Sequence, residues 1–313
     1  MSSSSHYACI YDTRTALLEN AIPFIESGLS AGEPVLVVTS AATREAIASA
    51  LPPHTSGITF EDAPSWYDAP GRAMTRYVTF WRELEAQGAT SLRIVGEPLA
   101  APIHSDRLER WEFFENAVNR AVRDYPFTMM CTYDASLEHV APCCAQVSHP
   151  YLAHDGFFIE NAAYVPPSVY AQSRIDRPLH VPAQGVAFMQ FSQETTGDAR
   201  HFIQLASADF GLDAFDSFDF VVAAGEAIAN AVEHGGGSGS IRLFASDREL
   251  VCDVQSDGNE NVDPLHGYEP PAPTGERGRG IWMMRQLCDW VELRPHADGN
   301  TIRLHKSLPP PAA

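Results

Sequence analysis

A regular alternation of short apolar runs and amphipathic stretches over the first 134 residues constrains the fold of this chain most strongly. Helical patterns, such as the one at Met74–Gln87, separate successive apolar runs. Strands that alternate with helices usually pair in parallel, so this order predicts an α/β domain with a mostly parallel sheet covered by helices. The predicted strands are Tyr7–Tyr11, Pro34–Ser40, Ile58–Asp62, Ser91–Glu97 and Phe127–Asp134.

The second half of the chain has a different order of elements. A strand region is followed by two helices, a hairpin, a Pro- and Gly-rich loop, a short helix and a closing hairpin. This order predicts an α+β two-layer sandwich with helices on one face of a mainly antiparallel sheet. The predicted elements are Leu179–Phe191, Thr195–Phe210, Ala214–His234, Ser240–Ser256, Ile281–Asp289 and Val291–Lys306.

The stretch His149–Pro178 separates the two patterns. It contains turn residues and a Pro-Pro pair but no sustained period, which is typical of an extended, partly packed linker. The length of 313 residues also favours two domains. The predicted organisation is a domain over 1–150, a linker over 151–178, a second domain over 179–306 and a disordered tail over 307–313.

Composition excludes several classes of function. The net charge of -19 argues against direct binding of nucleic acid, which needs clustered cations. No stretch of 18 uninterrupted apolar residues occurs, so no membrane helix is expected. The first residues contain neither a basic nor an apolar signal-peptide region. With six cysteines and no export signal, we expect reduced thiols in a cytoplasmic protein.

The helix Ala214–His234 contains the segment GEAIANAVEHGGG, in which Glu226 and Asn230 fall on one polar stripe. One interpretation is a core helix with a solvent-facing polar stripe that ends at a glycine cap. The other is a Glu and an Asn that point into a shared pocket. The helix alone does not distinguish these interpretations.

The residues downstream favour a phosphate-binding pocket. A strand ends in S-D-G at Ser256–Gly258, and a loop leads to glycines at Gly275, Gly278 and Gly280 directly before a helix. Glycines at a helix N-terminus leave backbone N–H groups free for phosphate oxygens. An Asn oxygen nearby can hold Mg²⁺, and a Glu one turn earlier can orient a hydroxyl group or water for attack on a phosphate.

The segment Leu179–Lys306 resembles the Bergerat-type (GHKL) ATPase fold of anti-sigma-factor serine kinases. The sequence E-A-I-x-N-A-x-x-H at Glu226–His234 is similar to the N-box of that family. The sequence G-R-G-I-W at Gly278–Trp282, with R-Q-L-C-D at Arg285–Asp289, is similar to its second glycine box.

The resemblance implies ATP and Mg²⁺ as cofactors. It implies that Asn230 is the Mg²⁺ ligand, that Glu226 is the catalytic base and that Pro264–Gly280 is the ATP lid. The residues that it implies for cofactor binding are Asn230, Asp257, Gly258, Gly278, Gly280 and Thr301.

The first glycine box departs from the family. The family reads D-x-G-x-G, in which the Asp accepts a hydrogen bond from the adenine amino group. Here Ser256 stands at the Asp position, Glu260 stands at the second Gly, and Asp257 comes one residue late. A slip of one residue on a strand turns a side chain to the other face, although a bulge would restore Asp257. The sequence therefore predicts weak or absent ATP binding unless such a bulge exists.

The first half resembles the MEDS sensory domain, which accompanies this ATPase module in anti-sigma regulators of the RsbA type. The motifs are H-x-x-C-I-Y-D at His6–Asp12, G-E-P-L at Gly96–Leu99, W-E-x-x-E-N at Trp111–Asn116, C-x-Y-D at Cys131–Asp134 and H-P at His149–Pro150. The resemblance implies a RecA-like fold without a working P-loop, and no G-x-x-x-x-G-K-[ST] sequence occurs.

Histidines and cysteines of the first half form a candidate sensor site for a metal ion or haem. Thiolate and imidazole together suit softer metals, and His6-x-x-Cys9 has the spacing of a ligand pair. Alternatively, Cys9 and Cys131 are small buried apolar residues on adjacent strands, and the site senses without a metal. The candidate residues are His6, Cys9, Cys131, Cys143, Cys144 and His149.

Two functions of different classes follow from these resemblances. In the first, the chain is a regulator that controls transcription by binding a sigma factor or its STAS-type anti-anti-sigma antagonist. In the second, it is a serine/threonine kinase that phosphorylates the antagonist with ATP. Glu226 and Asn230 favour the kinase, whereas Ser256 and Glu260 favour a module that only binds. A homodimer is compatible with both.

Overall fold

A computed structural model of the protein describes residues 4–99, 105–136, 145–154, 156–246, 248–258, 262–271 and 278–309. The chain divides into two compact units. The N-terminal unit comprises Met1–Asp68 and Ala73–Tyr170, and the C-terminal unit comprises Ala69–Arg72 and Ala171–Ala313. The expectations for Cys143, Cys144, Glu260, Gly275 and residues 310–313 lie outside the described residues.

The N-terminal unit contains a seven-stranded sheet in the order β3-β2-β4-β5-β1-β6-β7. Every neighbouring pair is parallel except β6–β7, which confirms the predicted mostly parallel sheet. The elements from Ser5 to Ile175 are β1 Ser5–Tyr11, α1 Arg14–Ser30, β2 Val35–Thr39, α2 Ala41–Ala50, β3 Ile58–Asp62, α3 Ala63–Trp66, α4 Pro70–Ala86, β4 Leu92–Gly96, α5 Ser105–Ala121, β5 Phe127–Asp134, α6 Gln146–Ser148, β6 Tyr151–His154, β7 Phe157–Glu160 and α7 Pro167–Ile175.

Local sequence explains where these elements begin and what they bury. The Thr13 hydroxyl caps α1 by accepting the Ala16 N–H, and the Ser40 hydroxyl caps α2 by accepting the Thr43 N–H. All five residues of β2 are buried, as expected for a central parallel strand. On one face of the sheet, α1 and α2 contribute Leu17 and Ile47 to a core around Cys9 and the centre of β2.

The segment predicted as an extended linker contains regular structure instead. Its first strand, β6, pairs in parallel with β1, with Tyr151 opposite Tyr7, and β7 folds back on β6. The Asn161 amide donates hydrogen bonds to the carbonyls of Gln146 and His149 and so holds the segment against the preceding turn. Strands of four residues are too short to show a period, which explains why the sequence pattern missed them.

The C-terminal unit contains a five-stranded sheet in the order β11-β12-β10-β9-β8. All four neighbouring pairs are antiparallel. The helices lie on one face, where Ile203, Ile228 and Met284 pack against Leu243 and Leu304 of the sheet, as the sequence predicted. The elements are β8 Ala187–Ser192, α8 Thr196–Asp209, α9 Ala214–Glu233, β9 Ser238–Ala245, β10 Glu249–Ser256, α10 Gly280–Leu287, β11 Trp290–His296 and β12 Gly299–Ser307.

The opposite face of this sheet carries buried polar pairs. Arg303 donates two hydrogen bonds to the Asp253 carboxylate, at 2.6 and 2.8 Å. The His305 ring lies 3.0 Å from Glu249 Oε2 and 3.2 Å from Glu292 Oε1. Paired in this way, the charged groups tolerate burial.

Two further expectations concern the membrane and the thiols. No helix within the described ranges is long and apolar enough to cross a membrane. Four cysteines lie in the described part of the chain, at positions 9, 131, 252 and 288, and each is a buried free thiol.

Candidate functional site

Helix α9 positions Glu226 and Asn230. The helix begins at the Asp213 cap, whose carboxylate accepts the N–H groups of Phe215 and Asp216. Its apolar face, which includes Ile228, is buried against the sheet. Glu226 and Asn230 lie one turn apart and are half-buried. Both side chains line a cleft, so the structure supports the pocket interpretation over the solvent-facing stripe.

The cleft has a volume of about 790 Å³ and lies within the C-terminal unit. It is bordered by α9, the start of α10 and the adjoining ends of β10 and β12. Its lining includes Glu226, Asn230, Ser256, Gly280 and Asn300. Carboxylate, amide and hydroxyl groups therefore meet around one opening.

Gly280 lets α10 approach α9 closely. A Cβ atom at this position would lie 2.8 Å from Glu226 Oε2 and 3.7 Å from Asn230 Oδ1. Gly278 has φ +81°, a backbone conformation that favours glycine. Both glycines line the cleft, beside the first N–H groups of α10. These N–H groups have no partner within the helix, so the arrangement suits an anion such as phosphate.

Strand β10 contains no bulge that would bring Asp257 to the Ser256 position. Its pairing with β12 is regular from Glu249 opposite Ser307 to Ser256 opposite Asn300. Ser256 is buried and lines the cleft, whereas Asp257 is exposed and does not appear in the lining. Of the two alternatives, the structure shows the one in which the Ser256 hydroxyl group, and not the Asp257 carboxylate, borders the cleft.

Gly258, a predicted cofactor-binding residue, is not part of the cleft lining and packs against Gly235, which is. A Cβ at Gly258 would lie 2.5 Å from Gly235 Cα, and a Cβ at Gly235 would lie 2.4 Å from Ser256 Cβ. The turn after α9 therefore closes directly on the end of β10. Gly258 contributes this close packing.

Thr301 does not join the other predicted residues. Its Oγ1 lies 3.1 Å from His296 Nε2, and it lines a separate cavity of about 460 Å³ on the other face of the sheet. Its neighbour Asn300 lines the cleft instead and accepts the Val262 N–H at 3.2 Å. Successive residues of a strand point to opposite faces of the sheet. The pairing of Ser256 with Asn300 therefore puts Asn300, rather than Thr301, on the cleft side, and knowledge of this register would have identified Asn300.

The described part of the predicted lid is fixed at its start by Arg285. Its guanidinium group donates to the carbonyls of Pro264, His266 and Val291 at 2.8–3.1 Å. It also lies 3.9 Å from the centre of the buried Tyr268 ring. Residues 272–277 of the lid are outside the described residues.

A second constellation lies in the N-terminal unit. His6 of β1, Glu115 of α5, Cys131 of β5 and His149 after α6 are all buried, and one ligand atom of each lies within 4.8 Å of the others. His6 Nε2 is 3.3 Å from Cys131 Sγ and 3.7 Å from Glu115 Oε2. His149 Nε2 is 3.5 Å from Glu115 Oε2.

Of the six predicted sensor residues, His6, Cys131 and His149 meet here and Cys9 does not, while Cys143 and Cys144 lie outside the described residues. Cys9 belongs to the core on the α1 face of the sheet. His6 and Cys9 are three residues apart on a strand, and residues at odd spacings point to opposite faces. The missing fourth residue is Glu115, which lies within the W-E-x-x-E-N motif but was not assigned a role from sequence.

Burial controls the protonation of this cluster. Burial, followed by the proximity of His149, lowers the pKa of His6 to about 3, so its imidazole is neutral near pH 7. Burial also raises the pKa of the Glu115 carboxyl, although His6 partly opposes this effect. Burial and the nearby Glu115 raise the pKa of the Cys131 thiol well above its usual range.

Comparison with known families assigns both units. Residues 5–140 match the family model described as the methanogen/methylotroph, DcmR sensory domain, MEDS. Residues 189–306 match the histidine kinase-like ATPase domain. The chain joins a MEDS domain to a histidine kinase-like ATPase domain. The ATPase match contains the whole cleft lining from Glu226 to Ile302, and the MEDS match contains His6, Glu115 and Cys131 but ends before His149.

The combination of these two domains is that of a signalling regulator. Histidine kinase-like ATPase domains generally bind ATP with Mg²⁺. No curated protein matches the chain.

Proposed function

We propose that this chain is an anti-sigma-type regulator whose ATPase domain binds ATP·Mg²⁺ and whose MEDS domain is the sensor. One observation carries the proposal: Glu226 and Asn230 project from α9 into a cleft that also contains the glycine-flanked start of α10. The proposal is supported by the meeting of a carboxylate, an amide oxygen and backbone N–H groups in one cleft.

Each group has a distinct role in the proposed complex. The Asn230 amide oxygen coordinates Mg²⁺, a hard cation that prefers oxygen ligands and phosphates. The N–H groups at the start of α10, after Gly278, hold the phosphate oxygens. The Glu226 carboxylate lies beside Gly280 at the start of α10. It orients a water or hydroxyl group for attack on the terminal phosphate.

The adenine end of the cleft is the weak part of the site. Ser256 offers a hydroxyl group where the related proteins place a carboxylate, and Asp257 is turned out to solvent. A hydrogen bond to a charged acceptor contributes about 1.5–3 kcal/mol, so its absence weakens binding. Weak nucleotide binding is more compatible with a regulator that acts by binding a partner than with an enzyme of high turnover.

The proposed partner is a sigma factor or its STAS-type antagonist, and the proposed compartment is the cytoplasm, where sigma factors act. This is tested by co-purification with the tagged full-length chain from its own cells, followed by mass spectrometry. We expect a sigma factor or a STAS protein in amounts that depend on added ATP·Mg²⁺. The Asn230→Ala variant should lose this dependence, while Gln204→Ala, an exposed amide on α8 outside the cleft lining, should retain it. Recovery of neither partner class would refute the proposal.

A second candidate function is a serine/threonine kinase, which the half-buried Glu226 beside Asn230 favours. The captured STAS protein and labelled ATP provide the test. A kinase transfers label to the STAS protein, and Glu226→Gln abolishes the transfer without abolishing ATP binding. Capture of the STAS protein without any transfer of label would show that the chain binds this partner but does not phosphorylate it.

A further inference from the structure

We propose that the MEDS domain binds one divalent transition-metal ion, with zinc preferred, through His6, Glu115, Cys131 and His149. Three of these residues come from the strands and helix around one face of the sheet, and His149 follows α6. The proposal is independent of nucleotide binding, because all four residues belong to the N-terminal unit.

The spacing of the donor atoms matches a tetrahedral ion. Zinc bonds of about 2.0–2.3 Å place neighbouring tetrahedral donors about 3.3–3.8 Å apart. The three distances between donor atoms, His6–Cys131, His6–Glu115 and His149–Glu115, are 3.3, 3.7 and 3.5 Å. Three of the six donor–donor distances therefore match an ion of this size, and the remaining donor pairs lie within 4.8 Å of one another.

Charge balance explains why such a cluster can be buried. Glu115 Oε2 is buried and lies 3.7 and 3.5 Å from the Nε2 atoms of His6 and His149. A buried carboxylate without a cation is costly. One divalent ion balances a Glu115 carboxylate and a Cys131 thiolate, with two neutral imidazoles, so that the complete site has no net charge.

A second layer of contacts holds the His6 ring in the orientation that a metal needs. The Asn119 amide nitrogen donates to the Ser148 carbonyl at 2.6 Å and lies 3.1 Å from the Asn116 carbonyl. Its oxygen therefore faces His6 Nδ1 as an acceptor, at 3.2 Å. A proton on Nδ1 leaves the Nε2 lone pair free toward Cys131 and Glu115, which is the arrangement found around metal-bound histidines.

The donor set selects the class of ion. A thiolate with two imidazoles and one carboxylate suits zinc and neighbouring transition metals, whereas Mg²⁺ and Ca²⁺ prefer oxygen ligands. Haem is disfavoured because His6 Nε2 and Cys131 Sγ are 3.3 Å apart and already in contact. A porphyrin ring does not fit between donors at that separation.

The test uses the full-length protein, purified without chelator for metal analysis, then stripped and titrated with Co²⁺. Cobalt replaces zinc in tetrahedral sites and reports thiolate bonding through a charge-transfer absorption band. We expect one equivalent of bound Co²⁺ with this band, and we expect one equivalent of Zn²⁺ to displace it. Absence of both bound metal and the band at excess Co²⁺ would refute the proposal.

Matched variants assign the site. Cys131→Ala should abolish the charge-transfer band, while Cys9→Ala, an equally buried thiol on the other face of the sheet, should leave the band and the Co²⁺ affinity unchanged. Asn119→Ala should weaken Co²⁺ binding about ten- to a hundredfold, as is typical of lost outer-shell contacts. Retention of the band in Cys131→Ala would place the metal elsewhere and overturn the assignment.

Glu115→Gln keeps the proposal testable if Cys131→Ala fails to fold. This change preserves the shape of the side chain and removes the anionic ligand. We expect at least a tenfold loss of Co²⁺ affinity with an unchanged circular dichroism spectrum. Unchanged affinity in this variant would contradict the proposed ligand set.

Discussion

At the residue scale, position 256 stands at the proposed adenine end of the cleft. Ser256→Asp places a carboxylate at the end of β10, where the side chain lines the cleft. A restored charged hydrogen bond of about 1.5–3 kcal/mol corresponds to about ten- to a hundredfold tighter ATP·Mg²⁺ binding and better discrimination against GTP. Isothermal titration calorimetry measures both quantities.

Asp257→Ala is the matched control for this prediction. Because β10 pairs regularly through Ser256 and Asp257 is exposed, we expect its loss to change ATP affinity less than twofold. Loss of adenine-specific binding in Asp257→Ala would show that a bulged strand end forms in solution and that Asp257 serves as the adenine acceptor.

Gly280→Ala tests the close approach of α10 to α9. The new Cβ would lie 2.8 Å from Glu226 Oε2, closer than carbon and oxygen normally approach, so the carboxylate must move. We expect about tenfold weaker ATP·Mg²⁺ binding, equivalent to about 1.4 kcal/mol. Gly197→Ala on α8, where a Cβ meets no atom within 4 Å, should leave the affinity unchanged. Equal affinities of both variants would argue against phosphate binding at this helix start.

Sequence identified some site residues and missed others for a geometric reason. The helical period predicted that Glu226 and Asn230 lie side by side, because residues four apart on a helix share one face. This prediction needs no knowledge of the tertiary structure. Asn300 and Glu115 were missed because their positions depend on strand register and on packing between distant elements. Thr301 was assigned to the cleft through a family motif, whereas the alternation of β12 turns it to the other face.

At the element scale, Arg285 joins the start of the lid to α10 and β11. Arg285→Leu removes the donors to three backbone carbonyls, at about 1–3 kcal/mol for each buried group left unsatisfied. We expect the free energy of unfolding of the ATPase domain to fall by about 3 kcal/mol or more in urea denaturation. Arg285→Lys, which keeps the charge and reaches fewer carbonyls, should show a smaller loss. A change of less than about 0.5 kcal/mol in the free energy of unfolding of Arg285→Leu would contradict this role.

Contacts of Glu292 within the β11–β12 hairpin make the stability of the fold decrease at acid pH. Burial alone would raise the pKa of Glu292, but its contacts with His305 and Arg294 outweigh burial and lower it below its usual range. A carboxyl whose pKa is lower in the folded state stabilises the fold above its unfolded pKa of about 4.3. That stabilisation is lost as pH falls through the folded pKa. Each unit of pKa difference corresponds to about 1.4 kcal/mol.

Glu292→Gln tests this dependence. We expect a lower melting temperature than wild type at pH 7 and a smaller further decrease between about pH 4.5 and pH 2, because the titrating group is gone. Scanning calorimetry across this range measures the slope. Parallel pH profiles for the two proteins would show that Glu292 does not contribute.

Long periodic elements were predictable from sequence, and short ones were not. The predicted strands at Ile58–Asp62 and Phe127–Asp134 coincide with β3 and β5, and the two long helices of the second half lie within one residue of α8 and α9. By contrast, β6 and β7 are defined by pairing with β1 and with each other, which no local pattern reveals.

At the scale of the whole molecule, regular structure in the predicted linker moves the expected site of proteolysis. Residues 176–186 lie between α7 and β8 without helix or strand, and Arg177 is exposed. Limited digestion with proteinase K, a protease of low sequence specificity, should therefore first cut within 176–186 and give fragments of about 20 and 15 kDa, since backbone in sheets resists proteases. Electrophoresis with mass spectrometry identifies the cut. First cleavage within 151–160 would contradict the pairing of β6 and β7.

The two-domain organisation followed from sequence because the order of elements changes along the chain. A strand–helix alternation and a helix pair followed by hairpins require different layer architectures, whatever the exact boundaries. The chemistry of each domain required tertiary structure, since both constellations gather side chains from elements far apart in the chain.

The most direct test of the proposed nucleotide site is a calorimetric titration of the full-length protein with ATP, in Mg²⁺ and in EDTA. Wild type should bind one ATP, and Mg²⁺ should tighten this binding. Asn230→Ala should lose the Mg²⁺-dependent part, about ten- to a hundredfold in affinity, because the amide oxygen contacts a charged ligand. Binding that is unaffected by Mg²⁺ and by Asn230→Ala, or no binding of ATP at millimolar concentration, would contradict the assignment of this cleft.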